Sequence, residues 1–172
     1  MNIFDQLKGH KVVEANNLQG LRTGHMVAQA KFDGKVGTGG EAYLDNGHIL
    51  ELNEANELVL SATGAGFALL HYSEEHMKFL DNAPLEMFTV TLDGAAYPRA
   101  IALYHGDTFT TDNFGGTAPA VAGTWYPVTV LAGVLTVGGT AAADTDKGPI
   151  AKKATLPSGE DAIEVVWRGG AN

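Results

Sequence analysis

Cysteine is absent from the 172-residue chain. That one absence excludes disulfides, thiolate metal sites, iron–sulfur clusters and a cysteine nucleophile. It also argues against a small secreted scaffold, which normally leans on disulfides. Serine is scarce: Ser61, Ser73 and Ser158 are the whole supply, and none sits in a Gly-x-Ser-x-Gly elbow. Basic residues are few, 11 Lys and Arg against 20 Asp and Glu, for a formal net charge of −9. Affinity for DNA or RNA comes from clustered Lys and Arg neutralising phosphates. The densest basic spot is only Lys147, Lys152 and Lys153, so no nucleic-acid partner is expected.

Long apolar runs are also missing. The longest, residues 128–137, is interrupted by Thr129, Gly133 and Thr136, well short of the roughly 20 apolar residues of a spanning helix. Residues 1–10 are too polar for a signal peptide. No membrane partner is expected, and the chain reads as one made in a cytoplasm.

Glycine, in contrast, is plentiful. The 22 glycines include pairs at 39–40, 115–116, 138–139 and 169–170, so the chain turns often and long helices are not expected. Asn46-Gly47 lies between apolar segments at 43–44 and 49–50, the strongest short hairpin signal. Phe88, Val90 and Leu92 alternate with threonines before Asp93-Gly94, and a return strand runs over 95–104 with Ile101 and Leu103 on one face. Pro98 removes one ladder donor and assigns that stretch to an edge or a bulge. Further hairpins are expected at 128–131 with 134–137, turning at Ala132-Gly133, and at 150–156 with 162–168, turning at Pro157-Ser158-Gly159. In the last of these Ile163, Val165 and Trp167 alternate. Short strands with Gly-rich turns read as mainly β, an antiparallel sandwich or small barrel, with at most one or two short helices. Candidate helices are residues 2–8 and residues 74–80, the second capped by Ser73 and stopped by Pro84.

The first forty residues differ from the rest. Turn residues recur at Asn16-Asn17, Gly20, Gly24, Asp33-Gly34 and Gly39-Gly40, with few apolar anchors between them. The segment 1–40 is therefore set apart from a β-rich domain at 41–172. It is expected as short strands over 22–32 joined by loops, as an extended arm lying on a partner, or as loops on the domain's own surface.

No cluster carries a clear chemical signature. His71 and His76, with Glu74 and Glu75 between them, are five apart and do not converge as a helical pair at i and i+4 would. The stretch reads as solvated surface. Gly37-Thr38-Gly39-Gly40-Glu41-Ala42 lacks the strand–helix context of a dinucleotide fingerprint and reads as a turn. Gly64-Ala65-Gly66 lacks the Gly-Lys-Ser/Thr ending of a phosphate loop. Asp107, Asp112, Asp144 and Asp146 are acidic loop positions suited at most to a weak calcium site, without the ligand run of an EF-hand. No cofactor and no catalytic residue is assigned. Large aromatics at strand ends suit assembly interfaces; Phe109, Phe114, Trp125 and Tyr126, with Phe4 near the N-terminus, are the candidate assembly contacts.

Gly106-Asp107-Thr108-Phe109-Thr110-Thr111-Asp112-Asn113, following a polar strand from Tyr97, resembles a segment of small structural proteins of tailed-phage particles. The strand–turn–strand ending, through Gly133-Val134-Leu135-Thr136-Val137, Gly148-Pro149-Ile150 and Leu156-Pro157-Ser158-Gly159, is similar to theirs. The resemblance covers roughly residues 85–168. It implies a capsid auxiliary protein of the decoration or cement type, bound outside an assembled shell in the virion. Its partner would be the major capsid protein, and it would be a homo-oligomer, trimer or dimer. An acidic chain suits that exterior better than the DNA-facing interior. A tail or head–tail connector protein is the nearest alternative. A carbohydrate-binding β-sandwich using Trp125 or Tyr126 as a sugar platform comes from another class, and a metal enzyme using His71 and His76 is third.

Overall fold

A computed structural model describes residues 11, 13–27, 29–33, 44–72, 97–143, 147–157 and 159–169. In chain order the elements are β1 (Val13–Asn17), α1 (Gln19–Thr23), β2 (Met26–Val27), β3 (Ile49–Leu52), β4 (Leu58–Leu60), β5 (Leu69–His71) and β6 (Ala100–Ala102). There follow β7 (Thr108–Thr111), β8 (Phe114–Gly116), β9 (Tyr126–Leu131), β10 (Val134–Val137), β11 (Ile150–Thr155) and β12 (Asp161–Val166). The expected helices at 2–8 and 74–80, the strand at 88–92 with its Asp93-Gly94 turn, and the 37–42 turn lie outside the described residues.

The protein is mainly β, with two packed sheets. Seven strands are ordered β1-β7-β12-β11-β9-β10-β8, and five are ordered β2-β6-β5-β3-β4. Among the described strands all pairings are antiparallel except β8 with β10, and the isolated bridge Phe32↔Leu58 is also parallel. Two of the expected hairpins are present. β9 and β10 pair from Val134↔Leu131 to Val137↔Val128. Ala132 and Gly133, at φ 48° and 78°, supply the left-handed turn a two-residue hairpin needs. β11 and β12 pair over their full length, Ile150↔Val166 to Thr155↔Asp161.

The Asn46-Gly47 turn leads into β3, but its hairpin partner is not the segment before it. Leu44 and Asp45 are not in a strand; β3 pairs instead with β4 and β5. The β3–β4 connection is built on Asn53, whose side-chain oxygen accepts from the Ala55 and Glu57 N–H groups at 2.9 Å each. The expected hairpin across Asn46-Gly47 is therefore absent among the described residues: the turn is there, but β3 takes its partners from later in the chain.

Only two residues, Asp112 and Asn113, join β7 to β8, yet those strands stand five places apart in the seven-stranded order. In a flat sheet that separation is about 24 Å. Three Cα steps reach about 11 Å at most. The sheet must therefore curl until its β8 edge returns beside the end of β7, and it forms a half-barrel.

The five-stranded sheet lies over the hollow of this half-barrel. Ile49, Leu70 and Ile101 point into it and meet Phe109, Tyr126, Val128, Leu135, Ile163, Val165 and Trp167. The opposite face of the smaller sheet is buried as well, with Leu50, Leu58, Leu69, Ala100 and Ala102 clustered with Phe32 and Leu44. Burial on both faces explains why β5 and β6 read as unbroken runs rather than alternating ones. The tip of the β9–β10 hairpin joins the sheets: Gly133 donates to the Ser61 carbonyl at 2.7 Å, and Ile49 donates to the Gly133 carbonyl at 2.8 Å.

Residue 40 does not mark a boundary between the described parts. β1 extends the larger sheet through β7, β2 extends the smaller one through β6, and Val13, Leu18 and Phe32 are buried. Of the strands expected over 22–32 only β2 is present among the described residues; β1 lies before that range, and residues 19–23 form the helix α1 instead.

Candidate functional site

The polar residues buried in this fold are held by its own backbone. Asp107, 3% exposed, accepts the Gln19 N–H on one carboxylate oxygen and the Tyr104 N–H on the other, both at 2.9 Å. Both carboxylate oxygens are thus hydrogen-bonded to the protein's own backbone. Ser61, fully buried, donates to Glu51 at 2.7 Å and accepts the Gly64 N–H at 3.0 Å. The Gly64-Ala65-Gly66 loop joins β4 to β5 and lies against Val130 and Trp167. A cavity of about 30 Å³, lined by Thr63, Val128, Pro149 and Trp167 among others, is the size of one water molecule.

His71 corrects the expectation of a solvated histidine: it is 1% exposed at the end of β5. Its Nδ1 lies 2.8 Å from the Arg99 carbonyl, which can only accept, so Nδ1 carries the proton. Its Nε2 is buried without a hydrogen-bond partner. Burial is the main reason its pKa falls to about 4; the Arg99 and Leu44 carbonyls and Asp45 oppose the fall, and His48 adds to it. His48 continues the ladder opposite, accepting the His71 N–H on its own carbonyl at 2.8 Å. Its pKa is also lowered by burial, against a 2.8 Å hydrogen bond from Nδ1 to the Asp45 carbonyl. Asn113 ties this corner to the larger sheet by donating to the Asn46 carbonyl at 2.9 Å. His76, Glu74 and Glu75 lie outside the described residues. Among the described residues, no three His, Cys, Asp or Glu side chains form a group that could hold a metal ion.

The candidate assembly contacts separate sharply. Phe109 is fully buried in the half-barrel and Tyr126 is 9% exposed. Neither can meet a partner while the chain is folded. Both alternate inward along their strands, and both belong to the core. Phe114 is half-buried against the same core. Trp125 is half-buried, with the Lys152 ammonium 4.8 Å from its ring centroid. Lys152 also pairs with Glu164 at 3.0 Å. Phe4 lies outside the described residues.

The large apolar side chains that do face solvent are others: Leu131, Phe67, Val121, Tyr97, Met26, Leu52 and Leu21. Two of these, Phe67 and Tyr97, are aromatic, and the other five are aliphatic or Met. Leu131 could have been found from the alternation of β9, which puts Val130 inside and Leu131 outside.

No protein-family model, curated protein or solved structure matches the chain. Among the described residues, Asp107 and Ser61 hold the scaffold by hydrogen bonds within it, and the exposed large apolar side chains lie on its surface.

Proposed function

We propose that this chain is a non-catalytic assembly module, a virion structural protein of the capsid decoration type. In this reading it binds the outside of an assembled shell through the major capsid protein and stabilises the shell as a homo-oligomer. One observation carries the assembly part. Among the described residues, the buried Asp107, Ser61 and the Nδ1 of His71 hydrogen-bond within the protein, whereas Leu131, Phe67, Val121 and Tyr97 are each more than half exposed. Exposed apolar side chains of this size mark interaction sites when they gather. The narrower virion role is supported by the resemblance of residues 85–168 to phage structural proteins and by a net charge of −9, which suits a shell's exterior better than its DNA-facing side.

The test is quantitative mass spectrometry of density-purified particles from a lysate of the source. Hundreds of copies per particle support decoration. A handful of copies moves the chain to a tail or head–tail connector. Absence from particles overturns the virion reading.

A further inference from the structure

His71 at the end of β5 and His48 at the entry to β3 are neighbours across the ladder, joined by the bond from the His71 N–H to the His48 carbonyl at 2.8 Å. Both are buried, at 1% and 6% exposed. Each ring sets its Nδ1 2.8 Å from a backbone carbonyl, Arg99 for His71 and Asp45 for His48. The His71 Nε2 has no hydrogen-bond partner. Two imidazoles are thus stored neutral in one corner, where a proton on either ring makes a buried cation beside the other.

Few bonds hold this corner. Residues 44–48 are not in a strand. The turn is tied to β5 by the Gly47 N–H, which donates to the His71 carbonyl at 3.0 Å, and by the His71–His48 bond. It is tied to the larger sheet by Asn113, which donates to the Asn46 carbonyl at 2.9 Å. β11 and β12, by comparison, are six residues each and pair over their full length. The charged groups around the rings are also few among the described residues. Asp45 acts on both rings and opposes their loss of charge. Arg99 turns its carbonyl to His71 and is itself exposed. Asp112 and Lys11 stand 3.8 Å apart as an ion pair at the β7–β8 corner. Thr111 and Asn113, which lie against Gly47, are uncharged. One carboxylate therefore serves two imidazoles, and it cannot offset a proton on each.

We propose that this corner is a proton-operated latch: as the pH falls, His71 and His48 take up protons and the turn at 45–48 comes away from β5 and from Asn113, while the two sheets stay folded. Opening carries both rings into water, where each holds its proton at no desolvation cost. It breaks the two ladder bonds and the one inter-sheet bond named above and leaves the long β11–β12 pairing untouched, so it is a local event rather than global unfolding. The sign follows from His71, whose pKa is 6.5 in water and about 4 in the closed corner. Between about pH 7 and about pH 5 that difference raises the open population about 20-fold, and His48 adds to it. The latch goes beyond the assembly reading and stands or falls without it.

The experiment is amide hydrogen exchange of the full chain, read by NMR at several urea concentrations between about pH 7 and about pH 5. The Gly47 and His71 amides should exchange through an opening with weak urea dependence, and their protection, corrected for the intrinsic rate, should fall at least about 20-fold over that range. The amides of β11 and β12 should keep higher protection and a steeper urea dependence throughout. His71→Leu should remove most of the fall at Gly47. His48→Asn, which keeps a neutral donor near the Asp45 carbonyl, should leave the His71 share and remove the rest. Nitrogen NMR of the parent rings tests the closed state without any variant: at about pH 7 His71 should be neutral, protonated at Nδ1 and bare at Nε2. Corner amides that exchange with the protection and urea dependence of β11 and β12 would overturn the latch. So would protection indifferent to pH, a fall undiminished in His71→Leu, or a His71 ring protonated at Nε2 at about pH 7.

Discussion

Asp107 caps a helix that begins 88 residues before it: its carboxylate accepts the Gln19 N–H at 2.9 Å. The helix's own N-cap residue, Leu18, makes no side-chain cap, so the orphan donor is satisfied from the β6–β7 turn. The second carboxylate oxygen closes that turn on the Tyr104 N–H. One buried side chain thus fixes the entry to β7 and the crossing of the N-terminal segment.

Asp107→Ala should therefore lower stability by roughly 2–4 kcal/mol, since it leaves two backbone donors without acceptors. Asp107→Asn, which keeps one acceptor oxygen, should lose about half as much. Urea unfolding gives both numbers. A loss below about 0.5 kcal/mol in the alanine variant would mean that water replaces the carboxylate at no cost.

His71 should make folding sensitive to acid. Its pKa is 6.5 when unperturbed and about 4 in the folded protein. As pH falls through 6.5 the unfolded chain takes up a proton that the folded chain refuses, so acid favours unfolding. The stabilisation is complete above pH 6.5 and declines until about pH 4, by about 3 kcal/mol in all. His71→Leu should remove this component, leaving the dependence set by His48, whose pKa burial also lowers. Parallel unfolding curves for parent and variant between pH 7 and 4 would contradict it.

Gly47 stands where the turn before β3 meets the β7–β8 corner. At φ +90° it occupies backbone space that side chains rarely adopt, and an added Cβ would come within 2.7 Å of Thr111 Oγ1 and 2.9 Å of Asn113 Cβ. Gly47→Ala should cost roughly 2–5 kcal/mol from strain and crowding together. Gly66→Ala, at φ +82° with open space around it, meets only the strain and should cost about 1–2 kcal/mol. Equal thermal midpoints for the two variants would show that the corner is not tightly packed.

Removing residues 1–40 should abolish cooperative folding, because this segment holds β1 and β2 and buries Val13, Leu18 and Phe32. At about 1.5–3 kcal/mol for each buried side chain, the loss approaches the whole stability of a domain. Circular dichroism with a thermal melt decides the matter. A sharp transition in the truncated chain would restore the separable arm.

The parts of this structure legible in the sequence are those in which neighbours along the chain are also neighbours in space. The β9–β10 and β11–β12 hairpins follow from two-residue alternation and turn chemistry, and Ile163, Val165 and Trp167 face the core as their spacing demands. The same alternation marks Phe109 as an inward residue between Thr108 and Thr110, but an aromatic beside a turn looks the same in a sequence whether it caps a core or a partner.

The sequence by itself determined a β protein built of short strands, without cysteine chemistry and with an acidic charge. Only the tertiary structure decided that two residues at Asp112 and Asn113 curl seven strands into a half-barrel, that β8 joins β10 in parallel, and that residues 13–33 belong to both sheets. The reason is physical. Strand period and turn geometry are set by the few residues that form them, whereas the partner of a strand edge is chosen by burial across the whole chain, which no local window records.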